Sequence, residues 1–219
     1  MDLYLWAPAT TPIGSILVIQ EIFGVGAYIR AVAQRLADAG YLVGAPDVFW
    51  RFSPHWAAGH DQAGLEQSLA KVGQLDPAQA ITDCVDALHH LHRISGLETH
   101  PAVLGFCLGG TLAWGVAISD KPSACVSYYG SGVPDMMRSI DAVRCPTLFH
   151  FGDDDPYIPN EGVDRICAAI AGRKGFVVNV EQAGHAFDNH EAKDLFYVAS
   201  AAQAAWAKTM AFLGRHVAA

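Results

Sequence analysis

The sequence predicts one α/β domain over residues 1–219, with a mostly parallel central sheet flanked by helices on both faces. Two observations carry this prediction. Short, apolar, β-branched runs alternate with amphipathic segments along the whole chain, which is typical of strands joined by helices. The chain is 52% hydrophobic, which suffices for one sizeable core, and no linker or internal repeat divides it.

Six runs are predicted to be strands because they are short, apolar and bounded by turn residues. In chain order they are ILVIQ (16–20), YLVGAP (41–46), AVLGF (102–106), ACVSYYG (124–130), PTLFHFG (146–152) and FVVNVEQ (176–182). The N-terminal segment MDLYLWAPATTP leaves room for one further strand at an edge. In open α/β sheets ligands bind at the carboxyl ends of the strands, so the functional site is expected there.

Helices are predicted between and after these strands, at 28–40, 75–94, 108–119 and 192–216. The first repeats apolar residues at helical spacing and ends at Gly40, and the second begins with Asp76 as a cap and Pro77 in its first turn. The last is expected to be a long closing helix. Residues 49–64, FWRFSPHWAAGHDQAG, are rich in Pro, Gly and aromatic residues and are predicted to form a loop or lid.

Composition narrows the possible partners. The net charge is -8 with only 14 Lys and Arg together, which argues against a nucleic-acid binder. No apolar run is long enough to span a bilayer, and the N-terminus lacks the pattern of a signal peptide. Five cysteines without C-x-x-C spacing favour a reducing compartment. We therefore expect a cytoplasmic protein, monomeric or weakly homo-oligomeric, whose partner is a small molecule.

Cys107 lies in the sequence GFCLG, where a predicted strand meets a predicted helix. A nucleophile elbow, the tight turn that lifts one side chain above the sheet, needs this context. Gly105 and Gly109 leave room for neighbouring backbone, and the helix N-terminus favours a thiolate. Cys107 is therefore predicted to be a nucleophile. The other cysteines lack this context and are predicted to be core residues: Cys84, Cys125, Cys145 and Cys167.

A thiolate that attacks an acyl carbon needs a proton shuttle and a group that orients the shuttle. In hydrolases built on such an elbow, an acid and then a histidine follow the nucleophile along the chain. One predicted strand leads into three aspartates and the last predicted strand leads into a histidine. These candidates are Asp153, Asp154, Asp155 and His185. All follow strand carboxyl ends, at the same edge as Cys107.

Further motifs occur together with these. They are QEIFGV (20–25), PDVFWR (46–51), GFCLGG (105–110), YYG (128–130), GDDDPYIP (152–159) and AGHAF (183–187). In this order, and over nearly the whole chain, they resemble the dienelactone hydrolase family of α/β-hydrolases. The resemblance implies the α/β-hydrolase fold and a carboxymethylenebutenolidase-type hydrolase that cleaves a lactone or small ester through a cysteine thioester. It implies no metal or organic cofactor.

The resemblance also implies roles for individual residues. It selects Asp155 as the acid, because the family's aspartate lies three residues before an I-P or V-P pair. It implies that Glu21 lies beside the resting thiol of Cys107 and takes its proton when substrate arrives. The backbone N–H groups of Ile22 and Leu108 would form the oxyanion hole. Candidates for substrate contacts are Phe23, Arg51, Tyr129 and Asn189.

One departure from the family pattern concerns the substrate. Family members that hydrolyse dienelactone bind its carboxylate with two arginines. One lies four residues after the histidine, where this chain has Asn189, and the other belongs to the segment EQSLAKVG (66–73), which has none. Asparagine cannot supply the charged, two-pronged contact of arginine. The expected substrate is therefore a neutral ester or lactone, or one whose charge is met by Arg51 or a histidine of the predicted lid.

Other functions stay open at this point. A general carboxylesterase would use the same residues on neutral esters. A non-catalytic binding protein on a hydrolase scaffold is possible because fold does not fix function. Against this alternative, a site that had lost its activity would have no reason to keep all these residues. The segment with His89, His90 and His92 suggests a third possibility, a metallohydrolase. A zinc site needs further ligands, however, and this spacing alone does not supply them.

Overall fold

The computed structural model describes residues 1–193 and 195–217, in which seven strands form one sheet. The strands are β1 (Leu3–Trp6), β2 (Gly14–Ile19), β3 (Tyr41–Pro46), β4 (Ala102–Phe106), β5 (Cys125–Tyr128), β6 (Thr147–Gly152) and β7 (Phe176–Glu181). Their order across the sheet is β1-β3-β2-β4-β5-β6-β7. Only β1 pairs antiparallel, with β3, and every other neighbouring pair is parallel. All six predicted strands and the single N-terminal edge strand are present.

Helices flank the sheet on both faces, as the strand pattern predicts. They are α1 (Ala27–Asp38), α2 (Gln62–Val72), α3 (Pro77–Ser95), α4 (Leu108–Ser119), α5 (Val133–Met136), α6 (Asn160–Ile170) and α7 (Ala199–His216), with a 3-10 helix at Met137–Ala142. The side chain of Asp76 caps α3 by accepting hydrogen bonds from the N–H groups of Ala78 and Gln79. No helix of the described residues has the length and apolarity that crossing a membrane would require.

The central strands are apolar on both faces because helices cover both. Every residue of β2 and β4 is buried, which is typical of parallel strands between two helical layers. The register of β4, β5 and β6 places Phe106, Tyr128 and His150 side by side. The carboxyl ends of these strands therefore lie at one edge of the sheet, where β6 extends two residues further to Gly152, and the residues that follow them meet there.

The last helix starts later than the sequence predicts. The prediction placed it at 192–216, whereas α7 begins at Ala199. Before it, the carbonyl of Ala192 accepts hydrogen bonds from the N–H groups of Phe196 and Tyr197. Phe196 packs against the core from this turn. An apolar run alone does not distinguish a helix from a turn that directs its side chains inward.

The prediction that four cysteines lie in the core is correct for three of them. Cys84, Cys125 and Cys145 are buried, but Cys167 is exposed. It lies on α6, whose inward face is formed by apolar residues at helical spacing, including Ile166. A residue next to an inward-facing position turns about a quarter of the helix away from it.

The predicted lid, residues 49–64, is a run of turns that leads into α2. We call residues 49–64 the lid segment. Its backbone is attached to the loop that follows β2, because Gly24 forms an isolated bridge with Ala57 and the N–H of Ala58 donates to the carbonyl of Phe23 at 3.1 Å. The lid segment therefore lies over the carboxyl ends of the central strands.

Candidate active site

Cys107 occupies the turn between β4 and α4 in a backbone conformation that non-glycine residues rarely adopt. Its φ is 54° and its ψ is -115°. Such strain persists only where the surroundings enforce it, and it is common at functional sites. A Cβ at Gly105 would collide with the carbonyl of Gly109, and one at Gly109 would collide with the carbonyl of Ile19. The two glycines therefore allow the close packing that the tight turn requires.

Three side chains from three strand ends form one hydrogen-bonded chain. Cys107 follows β4, Asp155 follows β6 and His185 follows β7. The Sγ of Cys107 is 3.1 Å from Nε2 of His185, and Nδ1 of His185 is 2.7 Å from Oδ2 of Asp155. These distances are hydrogen-bond distances, so the imidazole connects the thiol to the carboxylate. The arrangement is that of a nucleophile, a proton shuttle and an orienting acid.

The three consecutive aspartates have different environments. Asp155 is buried, and its second oxygen accepts a hydrogen bond from the N–H of Tyr157 at 2.8 Å. Asp153 and Asp154 are exposed, and Asp153 accepts from the N–H of Ala183 at 3.0 Å. Only Asp155 of the three contacts His185 in the described residues, which is the choice that the family resemblance implies.

The electrostatics of His185 favour its protonated form. Burial lowers the pKa of His185, but the negative charge of the Cys107 thiolate and the hydrogen bonds with Asp155 and Cys107 raise it to about 10. A buried imidazole next to two acidic groups gains more from its positive charge than it loses by leaving water. The site can therefore hold His185 as an imidazolium between the Cys107 sulfur and the Asp155 carboxylate.

Glu21 follows β2 and lines the same cavity as Cys107, but its hydrogen bonds lead elsewhere. Its Oε1 is 2.7 Å from Nε2 of His60 and 2.8 Å from Nδ2 of Asn189, which donates to it. In the part of the chain that the structure describes, no hydrogen bond joins Glu21 to Cys107. The resemblance implies that this carboxylate contacts the resting thiol. In the structure it contacts His60 and Asn189 instead, which differs from that expectation.

A cavity of about 180 Å³ opens above the Cys107 thiol, and its walls are mainly apolar. Ile22 and Leu108, whose N–H groups are the predicted oxyanion donors, lie on its floor side with the thiol. Leu108 is the first residue of α4, where backbone N–H groups have no partner within the helix. The other lining residues are Glu21, Phe23, Leu65, Leu69, Val72, Ser131, Tyr157, His185, Ala186 and Phe196. Phe23 thus lies where a substrate contact was predicted.

No arginine or lysine of the described residues lines this cavity. Arg51 pairs with Asp83 at 2.7 Å, stacks over Trp50 and borders a different depression of the surface. The prediction that Arg51 meets the substrate therefore has no support in the geometry. Asn189 is buried against Glu21 and does not line the cavity either.

Tyr129 lies behind His185 rather than in the cavity wall. Its ring centre is 5.2 Å from that of His185, and its hydroxyl is 3.4 Å from the hydroxyl of Tyr28, which donates to Asp188 at 2.7 Å. Burial and the negative charge of Asp188 raise the pKa of Tyr129 well above its usual value. Its hydroxyl therefore stays protonated at physiological pH. Tyr129 packs against the imidazole and is not among the residues that line the cavity, so the predicted substrate contact has no support in the geometry.

Sequence reasoning missed several residues of the site. The sequence predicts only that some histidine of the lid could meet a charged substrate, and nothing in it distinguishes His60 from His55. Tyr157, whose ring lies edge-on to His185 at 4.9 Å, carried no signal beyond its place in the GDDDPYIP motif. The cavity face of α2 could have been recognised from the spacing of its apolar residues at Leu65, Leu69 and Val72.

The histidine-rich helix has contacts that do not resemble a metal centre. His89 forms an ion-pair contact with Asp120, and the ring of His92 stacks on His100 at 4.4 Å. Across residues 1–193 and 195–217, no three His, Cys, Asp or Glu side chains are grouped so that they could hold a metal ion.

The chain is similar in sequence to proteins of one known family. Residues 1–217 match the sequence profile of the dienelactone hydrolase family. A carboxymethylenebutenolidase of Pseudomonas putida is 31% identical over 209 residues, which cover 94% of this chain and 88% of the relative. A carboxymethylenebutenolidase of Rhodococcus opacus is 32% identical, covering 98% of this chain and 86% of the relative.

Solved structures agree with the fold. A Klebsiella pneumoniae protein named as a dienelactone hydrolase is 28% identical and superposes with a TM-score of 0.81, over 97% of this chain and 92% of that one. A cold-adapted esterase from an Arctic intertidal metagenomic library shares the fold with a TM-score of 0.70, over 98% of this chain and 87% of that one, at 19% identity. With the profile match over almost its full length, the chain belongs to the dienelactone hydrolase family and is a hydrolase of lactones or carboxylic esters.

Proposed function

We propose that the protein hydrolyses a neutral, largely apolar lactone or small ester through a thioester on Cys107. The observation that carries the proposal is the hydrogen-bonded chain from Cys107 through His185 to Asp155 at the floor of an apolar cavity. Each group is within contact distance of the next, so acyl transfer needs no rearrangement of the three side chains.

In the first half of the proposed reaction, the Cys107 thiolate attacks the acyl carbon and a C–S bond forms. The carbonyl electrons move to oxygen, and the N–H groups of Ile22 and Leu108 stabilise the resulting oxyanion. When the C–O bond breaks, the imidazolium of His185 donates its proton to the departing alkoxide. For a lactone, this oxygen stays on the opened chain as a hydroxyl group.

In the second half, neutral His185 removes a proton from a water molecule, which attacks the thioester carbonyl. The C–S bond breaks, the acid product leaves and the thiolate–imidazolium pair forms again. Asp155 accepts a hydrogen bond from Nδ1 throughout, which holds the imidazole in one orientation and stabilises its charged form. The proposed steps need no metal or organic cofactor, because side chains and backbone supply every acid, base and donor.

The choice of a neutral substrate is supported by the cavity wall. Its described lining holds mainly apolar residues, the reactive groups, the hydroxyl-bearing Ser131 and Tyr157 and one carboxylate, Glu21, but no arginine or lysine. A substrate carboxylate there would lose its hydration without gaining an arginine or lysine, and His185 is already paired with Cys107 and Asp155, so its burial is unfavourable. Phe23 and the apolar face of α2 are suited to an apolar acyl group.

The test is the Cys107→Ala variant assayed with a panel of esters and lactones. We expect turnover to fall by at least about a thousandfold, since loss of a nucleophile removes the covalent route. Cys167→Ala, which changes an exposed cysteine, is the matched control and should keep full activity. Equal activity of both variants, or no activity of the unchanged protein on any ester, would favour a binding protein instead.

A paired screen tests the substrate class. Neutral lactones and their carboxylate-bearing analogues, including dienelactone itself, should differ by about tenfold or more in kcat/KM in favour of the neutral member, as expected for one unpaired buried charge. A clear preference for the carboxylate-bearing substrates would contradict the argument from Asn189 and the uncharged wall.

We also propose a cytoplasmic location and a monomeric or weakly homo-oligomeric state. All five cysteines are unpaired thiols, which is usual in a reducing compartment. Fractionation of the producing cells and sedimentation of the purified protein would test the two statements.

A further inference from the structure

We infer that His60 is a positioning residue that keeps Glu21 turned away from Cys107, so that the thiolate–imidazolium pair with His185 forms before any substrate binds. The inference rests on the proposed role of Cys107 as nucleophile. It gives the lid segment a part in activating the nucleophile, through the contact of His60 with Glu21.

The hydrogen bonds of Glu21 are the first support. Its Oε1 is contacted by Nε2 of His60 and receives a hydrogen bond from Nδ2 of Asn189. Glu21 is 2% exposed, Asn189 is 1% exposed and the side chain of His60 is 6% exposed. A buried carboxylate keeps its position where its partners are, because leaving them without other partners is costly. The two donors therefore determine where Glu21 points.

The attachment of the lid segment is the second support. The ring of Phe23 lies 4.3 Å from that of His60, centre to centre, and the backbone of residues 23 and 24 pairs with residues 57 and 58 of the lid segment. A Cβ at Gly24 would collide with the carbonyl of Trp56, so only glycine permits this close approach. His60 is thus held against the loop that carries Glu21 by contacts on both sides.

The environment of the thiol is the third support. Cys107 Sγ lies 3.1 Å from Nε2 of His185, and no hydrogen bond from Glu21 reaches it in the residues that the structure describes. A carboxylate free to turn toward Sγ would compete with His185 for the thiol proton and would repel the thiolate. With Oε1 engaged by His60 and Asn189, Glu21 is held in a position from which it makes no hydrogen bond to Sγ in the described residues, and Sγ is left to His185.

The unchanged free enzyme provides the first measurement. The ultraviolet absorbance of a thiolate, taken as the difference from a Cys107→Ser variant at neutral pH, should be present without substrate. Iodoacetamide should alkylate Cys107 at a rate that a neutral lactone analogue does not increase. Absence of the thiolate signal in the free enzyme, or labelling that becomes fast only with the analogue, would overturn the inference.

Two variants of His60 separate positioning from simple packing. His60→Leu removes the donor, and we expect the alkylation rate and the thiolate signal to fall by about tenfold, the effect of losing one hydrogen bond to a charged group. His60→Gln keeps a donor and should restore most of both. His55→Leu is the matched control in the same lid segment, since the side chain of His55 is largely exposed and contacts Tyr4 outside the cavity.

A double variant tests whether the effect runs through Glu21. In a Glu21→Gln background the charge that His60 restrains is gone, so His60→Leu should no longer slow alkylation. A loss that persists in that background, or His60→Leu that alkylates like the unchanged protein, would contradict the inference. These outcomes are distinct from failure of the proposed function, because alkylation reports on the state of the thiol and ester turnover with Cys107→Ala reports on the reaction.

Discussion

The site has two halves that differ in how the fold determines them. One half, which we call the catalytic edge, consists of Cys107, Asp155 and His185 at the ends of β4, β6 and β7. The other half is formed by the lid segment and α2, which supply His60 and much of the apolar wall. The catalytic edge is fixed by strand register. The lid half is fixed by contacts between an irregular segment and the loop after β2.

This difference explains why the chemistry and the substrate preference can be treated separately. Level strand ends bring distant residues together wherever the sheet forms, so the catalytic edge depends little on loop sequence. Loops on such a scaffold can change without changing the fold. We therefore expect variants of the catalytic edge to affect every substrate alike, and variants of the lid half to affect some substrates more than others.

The largest expected effect is at the catalytic edge. Asp155→Asn should lower kcat by about three to four orders of magnitude for every substrate, because the imidazole loses its charged partner and its fixed tautomer. Asp154→Asn, at the exposed neighbouring position, is the matched control and should leave kcat unchanged. Steady-state kinetics with several esters is the measurement. A loss confined to one substrate class would break the distinction between the two halves.

The stability of the folded protein, and with it of the sheet that carries the catalytic edge, should depend on pH through His150, which lies on β6. Burial and the charge of Lys208 lower the pKa of His150 to about 3, and its ring nitrogens contact Thr209 at 2.9 Å and Asn179 at 3.0 Å. Below its ordinary pKa, about 6.5, the unfolded chain binds a proton that the folded one does not. The free energy of unfolding should therefore fall as the pH drops from about 6.5 toward 3, by several kcal/mol in all.

Urea unfolding at a series of pH values measures this dependence. His150→Gln should be less stable than the unchanged protein at neutral pH but should lose less stability on acidification. Parallel curves for the two proteins would show that carboxylates alone cause the acid dependence.

The pH profile of activity should also report on the catalytic edge. The pKa of His185 is raised to about 10, so its imidazolium, the proposed proton donor to the leaving group, persists through neutral pH and is lost above that value. The folded state is stabilised by this proton fully below about pH 6.5 and loses that stabilisation as the pH rises toward 10. We expect kcat/KM to fall on the alkaline side near pH 10, and Asp155→Asn to shift that fall to lower pH.

The smallest expected effect is in the lid half. Leu69 lines the cavity from α2 and is half exposed, so Leu69→Ala should lower kcat/KM for long acyl chains by about two- to fivefold, less than a fully buried contact would give. Acetate esters, which do not reach this wall, should be unaffected. Gln67→Ala, on the exposed side of α2, is the control. An equal loss for short and long chains would mean that α2 acts on the chemistry.

The two halves also differ in how far the sequence predicts them. The strands, the elbow at Cys107 and the order of acid and histidine follow from apolar runs and turn residues, because these are local patterns. The choice of Asp155 among three aspartates needed the family resemblance. The contact between His60 and Glu21 spans 39 positions and depends on how an irregular segment folds, for which no local pattern exists. The predicted start of α7 was wrong for a related reason, because Phe196 packs inward from a turn and not from the helix.

The contact between Cys107 and His185 also bears on how sensitive the protein is to oxidation. A thiolate at the base of an open cavity reacts with peroxides, first to a sulfenic acid that thiols can reverse and then to forms that they cannot. In the proposed mechanism Asp155 and His185 stabilise this charge before substrate binds, so the reaction of the sulfur with oxidants would not wait for substrate. Cys84, Cys125 and Cys145 are shielded by burial, and the exposed Cys167 lies outside the cavity, so oxidative inactivation should begin at Cys107, the proposed nucleophile.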